Sequence, residues 1–370
     1  LDLLKGLDKN WGVRLNGGYS SNDGHTYGAS VFGRAGNFDG LFSYSRNDEN
    51  NYKPGKGYTN IDGGDTVPYS ALDKRSYLAK LGASFGDHRF VLSRMQDQHR
   101  GNRLVREEFT VSDGRLTLAR QAPAYRETTL ENNNFEWTAQ DLGFVDKLTA
   151  NAYLMKNKRY SADDSGNGYA GNVAGPTETT ITTKGTNVGL DSRIGGHTLL
   201  KYGVNYRHQE IEPHTFFLSN LSNPKKIDSG VYVEAINDIG DFTLTTGLRY
   251  DHFNLKAMDG KSASDGRFNP SFGLIWQPLD TLSFSASHNY ASRSPRLYDA
   301  LMSHGRRGIT SIAEDTKAER ARSTEIGFNY NNGAFAANGS YFWQTINDAV
   351  AGPQRRHDAD RLRRQRRDGV

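Results

Sequence analysis

The sequence contains no cysteine among its 370 residues and no run of more than four consecutive apolar residues. The first absence excludes disulfide scaffolds, thiolate metal sites and cysteine nucleophiles. The second excludes a transmembrane helix and the apolar core of a signal peptide. The mean hydropathy of −0.73 is too low for an ordinary soluble domain of this length, although 41 residues are aromatic.

The net charge of +4 has one local source. Gln354–Val370 holds seven arginines and three aspartates, whereas the rest of the chain balances 39 basic against 39 acidic residues. A basic chain invites a nucleic-acid interpretation. Because the excess is confined to residues 354–370, we expect no nucleic-acid partner and interpret this segment as a disordered or frameshifted tail unrelated to the preceding sequence.

Alternation of apolar and polar residues with period two dominates the chain, and this pattern is typical of strands with one apolar face. In Thr281–Tyr290, Leu282, Phe284 and Tyr290 share one face, and serines occupy the other. Phe242–Asp251 behaves in the same way. Fifteen stretches of this kind predict an all-β fold.

Short and long connections alternate between these strands. Seven are turn-like, at Gly36-Asn37, Gly86-Asp87, Gln140–Lys147, Gly195-Gly196, Gly240-Asp241, Gln277–Asp280 and Asn331–Gly333. The others are a short one at Ser21–Gly24 and longer loops at Asn50–Asp73, His99–Tyr125, Ser161–Pro176, Glu212–Lys226, Lys256–Asp265 and Ser294–Arg320. Short turns at one rim and long loops at the other indicate a transmembrane antiparallel β-barrel.

Aromatic residues near the strand ends suit the two interfacial girdles of such a barrel. They are Trp11, Tyr19, Phe90, Trp137, Tyr250, Trp276, Tyr330 and Trp343.

Three motifs with possible chemistry lack the context that the chemistry requires. Gly166–Gly171 spells G-x-G-x-x-G outside any βαβ unit, and Gly82–Gly86 spells G-x-S-x-G inside a strand. Asp163–Gly168 begins like a calcium loop but lacks the acidic twelfth residue. The ten histidines show no zinc-type spacing. We therefore expect no enzyme activity, no resident metal and no cofactor.

The long loops carry mixtures of cationic and aromatic side chains that suit a bulky anionic ligand. The candidate ligand-binding residues form three groups. They are Tyr52, Lys53, Lys56 and Tyr58; Arg100, Arg103 and Arg106; and His304, Arg306 and Arg307. The alternative for each is an ordinary solvated loop residue.

Longer strings resemble a known family. Asn269–Pro278, Ser292–Leu301 and Lys317–Phe328 resemble barrel signatures of TonB-dependent outer-membrane receptors. Thr66–Lys80 and Tyr160–Asn172 are similar to iron-regulated ferric-siderophore receptors of that family. The family barrel has twenty-two strands, so the resemblance implies an incomplete barrel with about fifteen of them.

The resemblance also implies a function and its partners. Such receptors lie in the outer membrane of Gram-negative bacteria, bind a ferric siderophore of the catecholate (enterobactin) type or ferric iron, and are driven by TonB through a plug domain. Glu319 and Glu325 match barrel glutamates that pair with plug arginines. By this resemblance, residues 1–9 join plug to barrel, 10–353 form a partial barrel, and the plug is absent.

Two other classes stay open at this stage. A passive outer-membrane porin would need one further strand after Pro353 to reach an even number. A soluble β-rich binding protein would need its apolar strand faces buried without lipid. We expect the chain to be inactive in transport when alone.

Overall fold

A computed structural model describes residues 8–60, 63–103, 109–112, 115–118, 124–162, 177–212, 221–297, 303–304, 308–309 and 312–349. The strands in these ranges are β1 Trp11–Ser20, β2 Gly24–Ala35, β3 Phe38–Glu49, β4 Leu72–Phe85, β5 His88–Arg103, β6 Phe109–Ser112, β7 Arg115–Leu118, β8 Ala124–Leu142, β9 Val145–Ser161, β10 Thr177–Ile194, β11 Thr198–Glu212, β12 Lys225–Ile239, β13 Phe242–Lys256, β14 Ser262–Leu279, β15 Leu282–Arg293, β16 Ser303–His304, β17 Gly308–Ile309, β18 Glu319–Asn331 and β19 Ala336–Asn347.

Fifteen of these strands form one antiparallel sheet in which each strand pairs with the next along the chain. The pairs β6–β7 and β16–β17 are separate two-stranded sheets inside the long loops. Among the described residues, β1 and β19 each have a single neighbour, so the sheet has two edges. These findings confirm the all-β prediction and its fifteen strands, and they are consistent with an incomplete barrel.

The short turns all lie at one end of the sheet, as predicted. Gly36 and Gly240 open two of them with φ of +57° and +59°, values that favour glycine over any side chain. The turn predicted at Gln277–Asp280 is too wide, because β14 continues to Leu279 through a register shift. The loop predicted at Lys256–Asp265 is also shorter, since β14 begins at Ser262.

The strand register places the apolar residues on one face of the sheet. Val13 lies opposite Val31, Leu81 opposite Leu92, and Leu244 opposite Leu274. We call this the outer face and the opposite one the inner face. The eight predicted girdle aromatics all fall on the outer face.

Exposure on the two faces is inverted relative to a soluble protein. On the outer face, Leu15 and Trp11 are 75% and 69% exposed. On the inner face, Thr183 and Asn269 are only 4% and 5% exposed. Large contiguous apolar surfaces of soluble monomers are rare and mark membrane or protein contacts. Within the described ranges, no helix is both long enough and apolar enough to span a membrane.

The buried apolar cluster lies at the loop end of the inner face rather than through the whole sheet. Ile211, Phe253, Leu255 and Ala263 come from the strands β11, β13 and β14 of the wall. Leu297 and Ala318, from the two ends of the connection between β15 and β18, pack onto them. This contact fixes the connection against the inner wall.

Candidate functional site

A row of asparagines crosses four adjacent strands on the inner face. Asn151 donates to Asn134 at 3.4 Å, Asn187 donates to Asn151 at 2.9 Å, and Asn205 donates to Asn187 at 2.7 Å. The strand register places Asn151, Asn187 and Asn205 directly opposite one another, and Asn134 lies diagonally from Asn151, two residues along β8 from its direct partner. We call this row the asparagine ladder. Each amide satisfies its neighbour while keeping further donor and acceptor capacity for water or a ligand.

Charged groups continue from the ladder toward the loop end. Arg249 binds Asp251 at 2.7 Å, and the amide of Asn269 donates to the other oxygen of Asp251 at 3.0 Å. One strand away, Asp228 accepts from Arg207 at 2.9 Å and faces the ammonium of buried Lys226 at 3.4 Å. The inner wall therefore carries paired charges at fixed positions.

These residues line a concavity of about 750 Å³ in the inner wall, which includes Asn187, Asn205, Asp228, Arg249, Asp251 and Asn269. Its lining offers amide, carboxylate and guanidinium groups together. Among the described residues, no group of three or more histidine, aspartate or glutamate side chains is arranged to hold a metal ion. The arrangement can hydrogen-bond a polar solute or a polar protein surface.

The first predicted ligand group lies in the connection between β3 and β4. The Tyr52 N–H donates to Ser70 Oγ at 3.0 Å, and the Tyr52 carbonyl accepts from the Val67 N–H at 2.9 Å, so the connection folds back on itself. Lys53 donates to Asp65 at 2.9 Å, and this hydrogen bond holds the pKa of the Asp65 carboxyl below its ordinary value. Lys56 is exposed and Tyr58 is half-buried in the same connection.

The second predicted group begins inside strand β5 rather than in a loop. Residues 99–103 continue β5, because all five pair with β8 and the first two also pair with β4, so their assignment to a loop is wrong. Arg100 lies on the outer face and binds Asp73 at 2.7 Å. Arg103 ends the strand, and Arg106 lies outside the described residues.

The third group lies in the connection between β15 and β18. His304 belongs to the short strand β16, whereas Arg306 and Arg307 lie outside the described residues. Residues 1–7 of the predicted plug-to-barrel join (1–9), the segment 163–171 with its two motifs, and the tail 354–370 also lie outside them. The roles of all three groups stay predictions.

The two predicted plug-contacting glutamates differ in their surroundings. Both lie on the inner face of β18. Glu319 binds Arg293 of the neighbouring strand at 2.6 Å. Glu325 is exposed and has no ion-pair partner among the described residues. Glu325 is thus the more available carboxylate of the two for a partner inside the wall.

The sequence alone did not reveal the asparagine ladder or the charged concavity. Each of the four asparagines lies on the polar face of its own strand, and the alternation within that strand predicts this face. Their alignment depends on the register between strands, which period-two patterns do not fix. Asn187 and Asn205 lie at equal distances from the turn that joins β10 and β11, and this symmetry was the sequence signal for that pair alone.

An antiparallel wall with an apolar outer face, a polar inner face and alternating loop lengths defines the outer-membrane barrel class. Residues 84–356 match the family model described as TonB dependent receptor-like, beta-barrel. The chain belongs to this family. Its members are transporters and receptors, so the prediction that the protein is not an enzyme is confirmed.

Individual relatives sharpen this assignment. The chain is 66% identical to the FrpB iron transporter from Neisseria meningitidis (F3-3 variant), with a TM-score of 0.88 over 96% of this chain and 57% of that one. For the F5-1 variant the identity is 64%, the TM-score is 0.87, and the match covers 96% of this chain and 58% of that one.

A curated relative is the heme/hemopexin utilization protein C of Haemophilus influenzae (strain 86-028NP), 25% identical over 199 residues. That match covers 47% of this chain and 28% of the relative. The chain therefore spans little more than half the length of the FrpB structures and less of the curated protein.

Proposed function

We propose that this chain forms the larger part of the wall of an outer-membrane receptor that takes up a ferric siderophore of the catecholate type, or ferric iron, in a TonB-dependent manner. The observation that supports the proposal best is the 66% identity to an iron transporter along 96% of the chain. Proteins of this family lie in the Gram-negative outer membrane, which supports that location for this chain.

The inner wall supports a transport role through its chemistry. The concavity of about 750 Å³ in this wall has a polar, partly charged lining. Such a lining suits a path for a hydrated or anionic solute, or contact with the face of a plug domain. Glu325 offers that plug an exposed carboxylate, and buried arginine–carboxylate pairs are strong, geometrically specific contacts. The plug and the TonB complex are partners in this proposal.

The ligand of the curated relative gives a rival. Its name refers to heme and hemopexin, whereas the FrpB structures are named as iron transporters. The higher identity favours an iron or ferric-siderophore ligand over heme. Tyr52 and Lys56 fit an anionic aromatic catecholate, because they combine a ring with a cation in one connection.

The test is a chimera in which residues 10–349 replace the matching wall of FrpB, expressed in a receptor-deficient Gram-negative strain. We expect TonB-dependent growth on a ferric catecholate or ferric iron, and no growth from this chain expressed alone. Growth restricted to heme would contradict the ligand. TonB-independent solute entry would favour a passive porin, and failure to enter the membrane would favour a soluble binding protein.

If the chain alone restored growth, the proposal that it is inactive without a plug and further strands would be wrong. A second variant is the chimera with Glu325→Gln, which we expect to insert normally but to transport more slowly. Insertion is measured by surface labelling, so loss of folding and loss of transport are separated.

A further inference from the structure

The outer face of five neighbouring strands, β3, β4, β5, β8 and β9, changes character toward the loop end. On β9 the outer side chains run from Leu148 and Leu154 to Lys156 and Lys158. The lysines and arginines on the outer face of these five strands, which we call the cationic collar, are Arg46, Arg75, Arg94, Arg100, Lys156 and Lys158.

One carboxylate organises half of the cationic collar. Asp73 accepts a hydrogen bond from Nε of Arg100 at 2.7 Å. The Nε atoms of Arg46 and Arg75 face its other oxygen at 3.7 and 3.6 Å, too far for hydrogen bonds. Three guanidinium groups thus converge on one carboxylate, and a second carboxylate, that of Asp48, pairs with one of the three, Arg46, at 2.9 Å.

A second carboxylate organises the other half. Glu131 lies 3.9 Å from Arg94 and 3.8 Å from Lys158, and it lies directly opposite Lys156 in the strand register. Six cations therefore face four outer carboxylates, Asp48, Asp73, Glu127 and Glu131. Among the described residues, Lys156 makes no hydrogen bond or ion pair, and the ion pair of Arg75 is the long one with Asp73 at 3.6 Å.

The opposite end of the same strands lacks such charges on the outer face. Its outer side chains there include Phe38, Phe85, Phe90 and Trp137. The arginine of that end, Arg89, lies on the inner face and binds Asp39 there at 2.7 Å. Among the described residues of these five strands, five of the six outer-face cations therefore lie toward the loop end, Arg94 lies at the middle of β5, and none lies at the turn end.

From this asymmetry we infer that the cationic collar docks the phosphate groups of the anionic glycolipid that forms the outer leaflet. The inference rests on the proposed function, because that function puts the loop end at the outer leaflet. Arginine forms bidentate, charge-assisted bonds with phosphate, and basic clusters beside a bilayer attract phosphorylated headgroups. Asp73 and Glu131 fix the positions of the cations around them. The six cations still exceed the four outer carboxylates, so the collar keeps a net positive charge.

The position of the collar favours a membrane lipid over a soluble anion as its ligand. Its side chains continue the rows of apolar residues that face the acyl chains, so a molecule that contacts both must be amphipathic. Tyr77 lies at this boundary and accepts a hydrogen bond from Nε of Arg94 at 3.0 Å. A tyrosine at the junction of apolar and polar surface is typical of a membrane interface.

The test uses the full chain refolded into detergent micelles and native mass spectrometry with diphosphoryl lipid A, dephosphorylated lipid A and inorganic phosphate. We expect diphosphoryl lipid A to bind and the dephosphorylated form to bind much less. Arg75→Gln and Lys156→Gln should each weaken binding about fivefold, the factor given by about 1 kcal/mol per cation near an anionic surface. Arg75→Lys should retain most of the binding.

Lys80→Gln is the matched control, because Lys80 lies on β4 beside these residues but on the inner face. It should leave lipid binding unchanged. Equal binding of both lipid A forms, equal loss in Lys80→Gln, or displacement by millimolar inorganic phosphate would overturn the inference. Failure of every variant and of the parent to insert into vesicles would instead contradict the proposed function.

Discussion

The inner and outer faces of the same fifteen strands obey opposite rules. On the outer face, leucine, valine and aromatic side chains are exposed, whereas on the inner face asparagine and threonine side chains are buried among polar partners. Both faces come from the same alternating sequence, so the difference lies in what each face meets. An apolar solvent outside and a polar interior inside explain both at once.

The largest effect is expected from a charge placed in the apolar belt. Phe272 and Ser271 are adjacent on β14 and lie on opposite faces. Phe272→Arg should lower the free energy of unfolding in lipid vesicles by about 2–4 kcal/mol, the cost of arginine near the bilayer midplane. Urea titration followed by tryptophan fluorescence measures this change.

Ser271→Arg is the control, since Ser271 faces the polar concavity beside Gly247 and Asn289. Its cost should stay below about 1 kcal/mol, since surface substitutions away from packed or paired groups usually stay within about 0.5 kcal/mol. Equal costs for the two variants would remove the distinction between the faces.

The next effect concerns the inner face. Asn187→Ala removes the centre of the asparagine ladder and leaves Asn151 and Asn205 each without one hydrogen bond. The unfolding free energy should fall by about 1–2 kcal/mol, the cost of unsatisfied, partly buried polar groups. Asn338→Ala, an exposed inner asparagine outside the ladder, should change it by less than about 0.5 kcal/mol. A smaller loss at Asn187 would mean that water replaces the ladder freely.

A smaller effect should separate the two inner glutamates. Glu319→Gln weakens the ion pair with Arg293 and should cost about 0.5–1 kcal/mol in the same titration. Glu325→Gln should leave stability unchanged, because Glu325 has no ion-pair partner among the described residues. A stability loss at Glu325 as large as that at Glu319 would contradict this division.

The smallest effect belongs to neither face but to the connection between β3 and β4. Lys53→Met should raise the pKa of the Asp65 carboxyl toward its ordinary value, because the hydrogen bond that lowers it is lost. In the unaltered chain the pair is intact above the ordinary carboxyl range and is lost as pH falls through the lowered value. NMR titration of Asp65 measures the shift, and an unchanged pKa in Lys53→Met would show that the pair does not form.

The strands were predictable because their alternation is local. In Thr281–Tyr290 and Phe242–Asp251 the alternation alone shows which residues form the apolar face, and glycine-containing turns mark strand ends. The girdle residue Trp137 falls on the outer face for the same reason. One apolar face per strand is therefore readable without any structure.

Contacts between strands were not predictable in this way. Arg100 looked like a loop residue because polar residues surround it, whereas pairing with Asp73 extends β5 through it. The asparagine ladder needs the register of four strands at once. The hairpins β6–β7 and β16–β17 were missed because their strands are too short for a periodic pattern to emerge.

The most direct test of the two-face account is tryptophan quenching in vesicles. All four tryptophans, Trp11, Trp137, Trp276 and Trp343, lie on the outer face. Brominated acyl chains should quench most of their fluorescence, and aqueous acrylamide should quench little of it. Strong quenching by acrylamide, with none from brominated lipid in the same folded sample, would contradict a lipid-facing outer wall.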